Sequence, residues 1–337
     1  MTPLRSGTVV MITGASGGVG RATARLLAGR GARLGLLARG RDGLEGARKE
    51  VEAAGGQALV LPADVSQPDE VEAAAAQLES AFGPIDLWIN NAMVSLYSPF
   101  MEMTAEEFRH VVDVTFLGVV HGTRAALRRM QVRDRGTIIQ VGSALAFRSI
   151  PLQSAYCASK HAINGFTEAL RSELIHAKSR VRLSVVHMPA LNTTQFTWTL
   201  NRMRRKVRPA GRIFQPELAA QAILFVAEHP RRAMEVGHTT VEAVLGEKIF
   251  PGLLDHYLAR TAWEGALLPE ADDPTRPDNF WQPVPADLGC HGKFASMSHR
   301  FSVQLWATEH RFALLTGAAV VIAAVVALCL FHAGALG

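Results

Sequence analysis

From residue 7 to residue 187 the chain alternates short apolar runs with helical stretches. Residues 7–13 (Gly-Thr-Val-Val-Met-Ile-Thr) read as a buried strand, and further strands are expected at 32–38, 57–62, 85–89, 137–141 and 182–187. Helical stretches at 21–29 and 71–82 lie between them, and Thr104-Ala105-Glu106-Glu107 forms a capping box opening a third. Strands separated by helices cannot pair as hairpins, so the pattern predicts a parallel sheet covered by helices on both faces, an α/β fold. Ligands of such sheets sit outside the carboxyl ends of the strands. Gly14, Arg39, Asp64, Asn90 and Ser143 all fall at such ends.

The first strand runs into Gly14-Ala15-Ser16-Gly17-Gly18-Val19-Gly20 and then into a helix. Glycines let the backbone approach a pyrophosphate, and the helix N-terminus offers free N–H groups and a positive dipole end. The spacing is Gly-x-x-x-Gly-x-Gly, which differs from the commoner Gly-x-Gly-x-x-Gly. An acid at the end of the second strand would suit a free ribose 2′-hydroxyl. Ala38-Arg39 stands there instead, and a guanidinium suits a 2′-phosphate. The expected cofactor is therefore NADP(H) rather than NAD(H).

Tyr156-Cys157-Ala158-Ser159-Lys160 follows Ser143 by thirteen residues. A lysine one helical turn after a tyrosine shares its face, and its charge favours the phenolate. A serine at a strand end can bond the same substrate oxygen. Together the three can move a proton on or off a carbinol oxygen.

Thr13-Gly14, Gly18-x-Gly20, Asp64-Val65, Asn90-Asn91-Ala92, Ser143, Tyr156-x-x-x-Lys160 and Pro189 together resemble the short-chain dehydrogenase/reductase family over residues 5–250. The resemblance implies a Rossmann-type, doubly wound sheet of about seven strands. It makes Tyr156 the catalytic acid/base, gives Lys160 the tuning of Tyr156 and a hold on the nicotinamide ribose, and assigns Ser143 to the substrate carbonyl. Gly14, Ser16, Gly18, Val19, Gly20, Arg39, Asp64, Val65, Asn90, Ala92, Tyr156, Lys160 and Pro189 become the cofactor-binding set, with Asp64 and Val65 against adenine. A homodimer or tetramer, paired through long helices, is implied as well. Two positions depart from the family pattern. Thr115 stands where an asparagine usually organises a water in the proton relay, and Met93 stands where glycine usually follows Asn-Asn-Ala.

The carboxyl-terminal part is expected to differ in kind. Residues 1–251 form the catalytic domain, 252–311 a proline-containing extension or linker, and 332–337 a short tail. Pro269, Pro274, Pro277, Pro283 and Pro285 favour extended backbone, and residues 270–294 read either as a strap or tether, with Phe280 and Trp281 as candidate anchors to the catalytic domain, or as a disordered linker. Residues 312–331 carry no charge. As a helix, twenty residues span about 30 Å, a bilayer core, so this run is the expected transmembrane helix. Arg311, Arg300 and Lys293 on its amino-terminal side place the catalytic domain on the cytoplasmic face. Formal net charge is +5, and 174–216 holds no acid while Arg202, Arg204, Arg205, Lys206, Arg208 and Arg212 cluster there. That patch suits membrane lipids or an acidic substrate, and no nucleic-acid module accompanies it. Three cysteines give neither a disulfide framework nor metal spacing.

These features together predict a membrane-anchored, NADP-dependent oxidoreductase acting on a carbonyl or secondary alcohol of a small lipophilic substrate, such as a retinoid, steroid, prenyl or long-chain keto compound. The alternative is a cofactor-binding membrane protein with weak or no catalysis. Epimerase or dehydratase chemistry on a sugar nucleotide would use the same tyrosine and lysine, but the tail does not read as a second sugar-nucleotide domain.

Overall fold

The computed structural model describes residues 4–334, with side chains described through Val326. Residues 335–337 of the expected tail, and the side chains of 327–331 of the expected span, lie outside the described residues.

Seven strands form one all-parallel sheet: β1 Val9–Thr13, β2 Arg33–Ala38, β3 Gln57–Pro62, β4 Leu87–Asn90, β5 Thr137–Ser143, β6 Arg182–Met188 and β7 Ala233–Glu235. Their order is β7-β6-β5-β4-β1-β2-β3. The chain winds outward from β1 in both directions, so a crevice opens between β1 and β4 where the winding reverses. Successive side chains of a strand face opposite ways. Val10 and Ile12 of β1 accordingly enter one core cluster, with Leu34, Leu36 and Ile223, while Val9 and Met11 enter the other, with Leu37, Trp88 and Leu78.

Helices α1 Gly18–Ala28, α2 Arg41–Ala53 and α3 Pro68–Phe82 connect the first four strands. The capping box is present at α4, Ala105–Val112: Glu107 N donates to Thr104 Oγ1 at 3.1 Å, and Thr104 N donates to Glu107 Oε2 at 2.8 Å. A π-helical turn, Asp113–Leu117, joins α4 to α5, Gly118–Met130. Helix α6, Ser154–His176, crosses from β5 to β6.

Beyond β6 come α7 Gln195–Trp198, α8 Pro216–Glu228, α9 His238–Ile249 and α10 Pro251–Gly265. The segment expected as a linker is stitched to the sheet domain. Leu267–Ala271 pairs antiparallel with Arg205–Val207, and Ser298–His299 pairs parallel with Ile213–Phe214. Part of the cationic patch is consumed in this docking. Arg205 bonds Glu264 at 2.7 Å and the Leu268 carbonyl at 2.7 Å, and Arg202 pairs with Glu107. Arg204, Lys206 and Arg212 remain exposed.

Helices α11 Val303–Glu309 and α12 Arg311–Gly334 end the chain. Among the described residues no single helix is long and apolar enough to cross a membrane; α11 and α12, read to Val326, pass that test only together, across an 80° bend.

Candidate active site

The glycine turn lies at the crevice between β1 and β4. Gly14 has φ +68°, a region that L side chains rarely adopt, and a Cβ there would lie 2.8 Å from Ala92 Cα. A Cβ on Gly20 would lie 2.3 Å from the Gly14 carbonyl oxygen, so this glycine serves the packing of α1 on the turn. The first N–H groups of α1 are left facing the crevice.

A cleft of about 1030 Å³, measured out to its open mouth, follows from this turn. Gly14, Ser16, Gly18, Val19, Arg39, Asp64, Val65 and Ala92 of the expected cofactor set line it, and so does Met93. Gly17, Asn91, Thr193, Thr194 and Trp198 line it as well. Thr194 Oγ1 is buried and has no partner, 3.0 Å from where a Gly17 Cβ would stand. An unpaired hydroxyl facing a glycine turn and a helix N-terminus fits a bound phosphate.

Asn90 does not line the cleft. It is fully buried: Oδ1 accepts from Trp88 Nε1 at 2.8 Å, and Nδ2 donates to Thr123 and Gln140 at 3.1 and 2.9 Å. The asparagine of the cleft is Asn91, whose Nδ2 donates to the Thr13 and Gly14 carbonyls at 3.0 and 3.2 Å and fixes the turn. Gly20 and Lys160 are likewise absent from the cleft wall, and Pro189 lines the neighbouring catalytic cavity instead.

Arg39 reaches the cleft but is not free. Its Nη1 donates to the carbonyls of Phe280 and Trp281 at 3.2 and 3.0 Å, and its Nη2 to the carbonyl of Asn279. A guanidinium carries five N–H groups, so two stay available for an anion.

The catalytic cavity, about 750 Å³ out to its mouth, is lined by Ser143, Tyr156, Tyr97, Gln153, Pro189 and Phe196 among others. Gln195 lines both spaces, so they adjoin. Ser143 ends β5 and lines the cavity with Tyr156. Burial pushes the Tyr156 phenol well above the ordinary tyrosine range, and the nearby Ser143 side chain partly offsets this. The phenol is therefore protonated at neutral pH. Lys160, on the next turn of α6, is buried; its Nζ donates to the Val141 carbonyl at 2.8 Å and lies 5.5 Å from the Tyr156 ring centre. Burial lowers the Lys160 ammonium to about 8. His187, lowered to about 4 by burial, is a neutral imidazole whose Nδ1 has no partner.

Thr115, expected in the proton relay, is engaged with backbone. It is fully buried within the π-helical turn. Its hydroxyl donates to the Val94 carbonyl at 2.9 Å and accepts from the Val94 N–H at 3.2 Å. The single hydroxyl proton is thus spent on backbone, and Thr115 fixes the loop that carries Met93.

Phe280 is fully buried in the core, whereas Trp281 is exposed and its ring lies 4.5 Å from that of His110. No metal site was expected from sequence. Glu217, Cys290 and His291 do converge within 4.8 Å. Glu217 Oε1 is shared by Arg25 and His291, each at 2.7 Å.

Comparison with known proteins agrees with this geometry. The family model for short chain dehydrogenases matches residues 8–205. The oxidoreductase YxnA of Bacillus subtilis is 32% identical over 287 residues, 85% of this chain and 80% of that protein. A 3-oxoacyl-[acyl-carrier-protein] reductase of Bos taurus is 35% identical over 223 residues, 66% of this chain and 92% of that one. Among solved structures, a metagenomic short-chain oxidoreductase in complex with NADP is 30% identical with a TM-score of 0.58, covering 69% of this chain and 96% of its own. A serine, a half-buried tyrosine and a buried lysine beside a glycine-turn cleft, carried on this sheet and matched over these spans, identify the chain as a member of the short-chain dehydrogenase/reductase family.

Proposed function

We propose that this protein is an NADP(H)-dependent oxidoreductase that interconverts a carbonyl and a secondary alcohol on a small lipophilic substrate. The carrying observation is the Ser143–Tyr156 pair, open to an apolar cavity that shares Gln195 with the dinucleotide cleft. When bound, NADPH supplies the hydride. The substrate oxygen accepts hydrogen bonds from Ser143 Oγ and the Tyr156 hydroxyl. As negative charge develops on that oxygen, Tyr156 transfers its proton to it, giving the alcohol. The phenolate left behind is stabilised by the Lys160 ammonium and is reprotonated from solvent. A phenol kept protonated by burial suits the reductive direction.

Leu145, Ile150, Met188, Leu191 and Phe196 make the cavity wall largely apolar, which favours retinoid, steroid, prenyl or long-chain keto substrates over sugars. Arg39, with two N–H groups in reserve, supports NADP over NAD as the cofactor. The NADP complex of the 30%-identical neighbour agrees with it.

We place the protein at a membrane through residues 312–331, with the catalytic domain on the cytoplasmic side and a dimer or tetramer formed through the long helices. What supports the anchor is the absence of charge in that run, and that every described side chain of α12, Arg311 to Val326, is exposed rather than packed on the catalytic domain. Among the described residues, then, the apolar side chains of this helix are left largely to solvent. Truncation after His310 should move the protein to the soluble fraction while NADPH binding and activity on a water-soluble carbonyl survive. Retention on membranes in high salt, or loss of NADPH binding, would overturn the anchor.

The second reading, a cofactor-binding membrane protein with weak or no catalysis, is favoured only by Thr115 and Met93. Tyr156→Phe separates the two. NADPH affinity should stay within a few-fold, while reduction across a carbonyl panel falls about 10²-fold or more. Wild-type binding without turnover, or turnover indifferent to Tyr156→Phe, rejects the catalytic reading.

A further inference from the structure

The dinucleotide cleft has a wall that does not belong to the seven-stranded domain. Asn279, Pro283, Val284 and Ala286 line it opposite the glycine turn, and Gly17 touches the same segment through the Gly289 carbonyl. Both ends of this strap are fastened. At one end Phe280 is fully buried in the sheet core, and its carbonyl accepts from Arg39 and lies 2.8 Å from His110 Nε2. Asn279 N donates to the Trp198 carbonyl at 2.8 Å, joining the strap to the loop on the other side of the cleft. At the other end Asp287 pairs with the guanidinium of Arg21, itself buried in α1 and also bonded to Glu50 at 2.9 Å. Between the two ends the chain passes the start of α2 so closely that a Cβ on Gly40 would lie 3.1 Å from Pro283 Cβ.

The two fastenings differ. The Phe280 end is a buried aromatic ring plus three carbonyls on one guanidinium. The Asp287 end is held by an ion pair whose acid is 40% exposed and whose arginine is 4% exposed. An ion pair with one solvated partner separates more readily than a buried ring leaves a core.

We propose that residues 279–287 are part of the NADP(H) site: their carbonyls orient Arg39 for the 2′-phosphate, and the strap covers the adenosine end of the cleft, so that cofactor exchange requires the Asp287 end to lift from Arg21 while the Phe280 end stays. This inference rests on the reading of the cleft as a dinucleotide site, but not on any catalytic activity. Strap and Arg39 act as one unit. Three of the guanidinium donors hold the strap, and the remaining two face the ligand from a side chain that can no longer swing.

The test is the rate of NADPH release, followed by stopped-flow fluorescence after a chase with excess NADP⁺. Asp287→Asn keeps an acceptor for the Gly289 N–H, which donates to Asp287 Oδ1 at 3.0 Å, but removes the charge facing Arg21. Release should quicken about tenfold, and the preference for NADPH over NADH should be kept, because the Phe280 end still holds Arg39. The double variant Gly40→Cys with Pro283→Cys ties the strap down reversibly. Once mass spectrometry shows the disulfide, release should slow about tenfold, and dithiothreitol should restore it. Release at the same rate in oxidised and reduced forms would overturn the proposal even if Asp287→Asn fails to fold. If the wild type binds NADPH and NADH equally, the 2′-phosphate role of Arg39 fails, while the exchange measurement still decides the role of the strap. Protein that binds NADPH but reduces nothing leaves the release experiment fully decisive.

Discussion

The catalytic cavity and the dinucleotide cleft meet at Gln195 but are assembled from the chain in different ways. The catalytic residues come from consecutive elements. Ser143 ends β5, Tyr156 and Lys160 sit on α6, and Pro189 follows β6. The cleft draws its floor from strand ends in the same manner, yet its outer wall comes from a strap whose Asn279 lies 240 residues beyond Arg39. The first cavity is dictated by local backbone, since a parallel sheet delivers its strand ends to one edge whatever the rest of the chain does. The second depends on long-range docking of a proline-punctuated segment, and its chemistry is mostly backbone carbonyl. Side-chain identity therefore governs one site, and chain path governs much of the other.

The largest effect that can sharpen this contrast belongs to Lys160. Lys160→Met should cut turnover about 10²-fold or more and also weaken NADPH binding, by the second role inferred for this residue. It should at the same time raise thermal stability near pH 7. The sign follows from burial. The folded-state value, about 8, lies below the ordinary 10.5. Below pH 8 the lysine is charged in both states, and the folded protein bears the full cost of burying the ammonium. Between pH 8 and 10.5 only the unfolded chain keeps the proton, and that cost fades. The stability gap between variant and wild type, measured by thermal melts, should hence narrow across that window. Wild-type reductase activity should decline above about pH 8 as the charge is lost. A gap that is constant with pH would mean that Lys160 is solvated in the folded protein.

A smaller effect probes the cleft. Arg39→Asp should shift preference toward NADH by about tenfold, through repulsion of a 2′-phosphate and acceptance from a free hydroxyl. It should also weaken both dinucleotides, because an aspartate would face three strap carbonyls where a donor stood. A clean switch without loss of affinity, in titrations with each cofactor, would show that the strap is not held by Arg39. The smallest effect is at Thr115. Thr115→Val should lower stability by about 1–3 kcal/mol, the cost of leaving a buried Val94 N–H unpaired, while kcat changes only a few-fold and Thr115→Ser restores stability. A large drop in kcat with unchanged stability would return Thr115 to the proton path.

The residues that could be read in advance are those whose position follows from strand direction and helical spacing. Gly14, Asp64, Ser143 and Tyr156 are placed by the carboxyl edge of the sheet and by one turn of α6. Asn90 and Asn91 were not distinguishable on that basis. They are adjacent, and the one that enters the core is selected by Trp88, Thr123 and Gln140, side chains drawn from three elements. Thr115 was assigned from its place in the family pattern, which carries no sign of the π-helical turn that seats its hydroxyl on Val94. The engagement of Arg39 left no local trace at all. Its partners are main-chain carbonyls, which every residue carries, so no composition or motif announces them. The buried position of Phe280 was signalled only by an aromatic residue in an otherwise polar stretch.

The sharing of one guanidinium between strap and cofactor has a consequence for how this chain can diverge. Residue 39 stands under two selections at once, one from the nucleotide in the cleft and one from the tail that closes over it. A substitution there is epistatic with every residue that sets the path from Asn279 to Asp287. In this chain a rerouted tail would remove the carbonyls that keep Arg39 in place, and a changed Arg39 would remove the donors that hold the tail, so either is best altered together with the other.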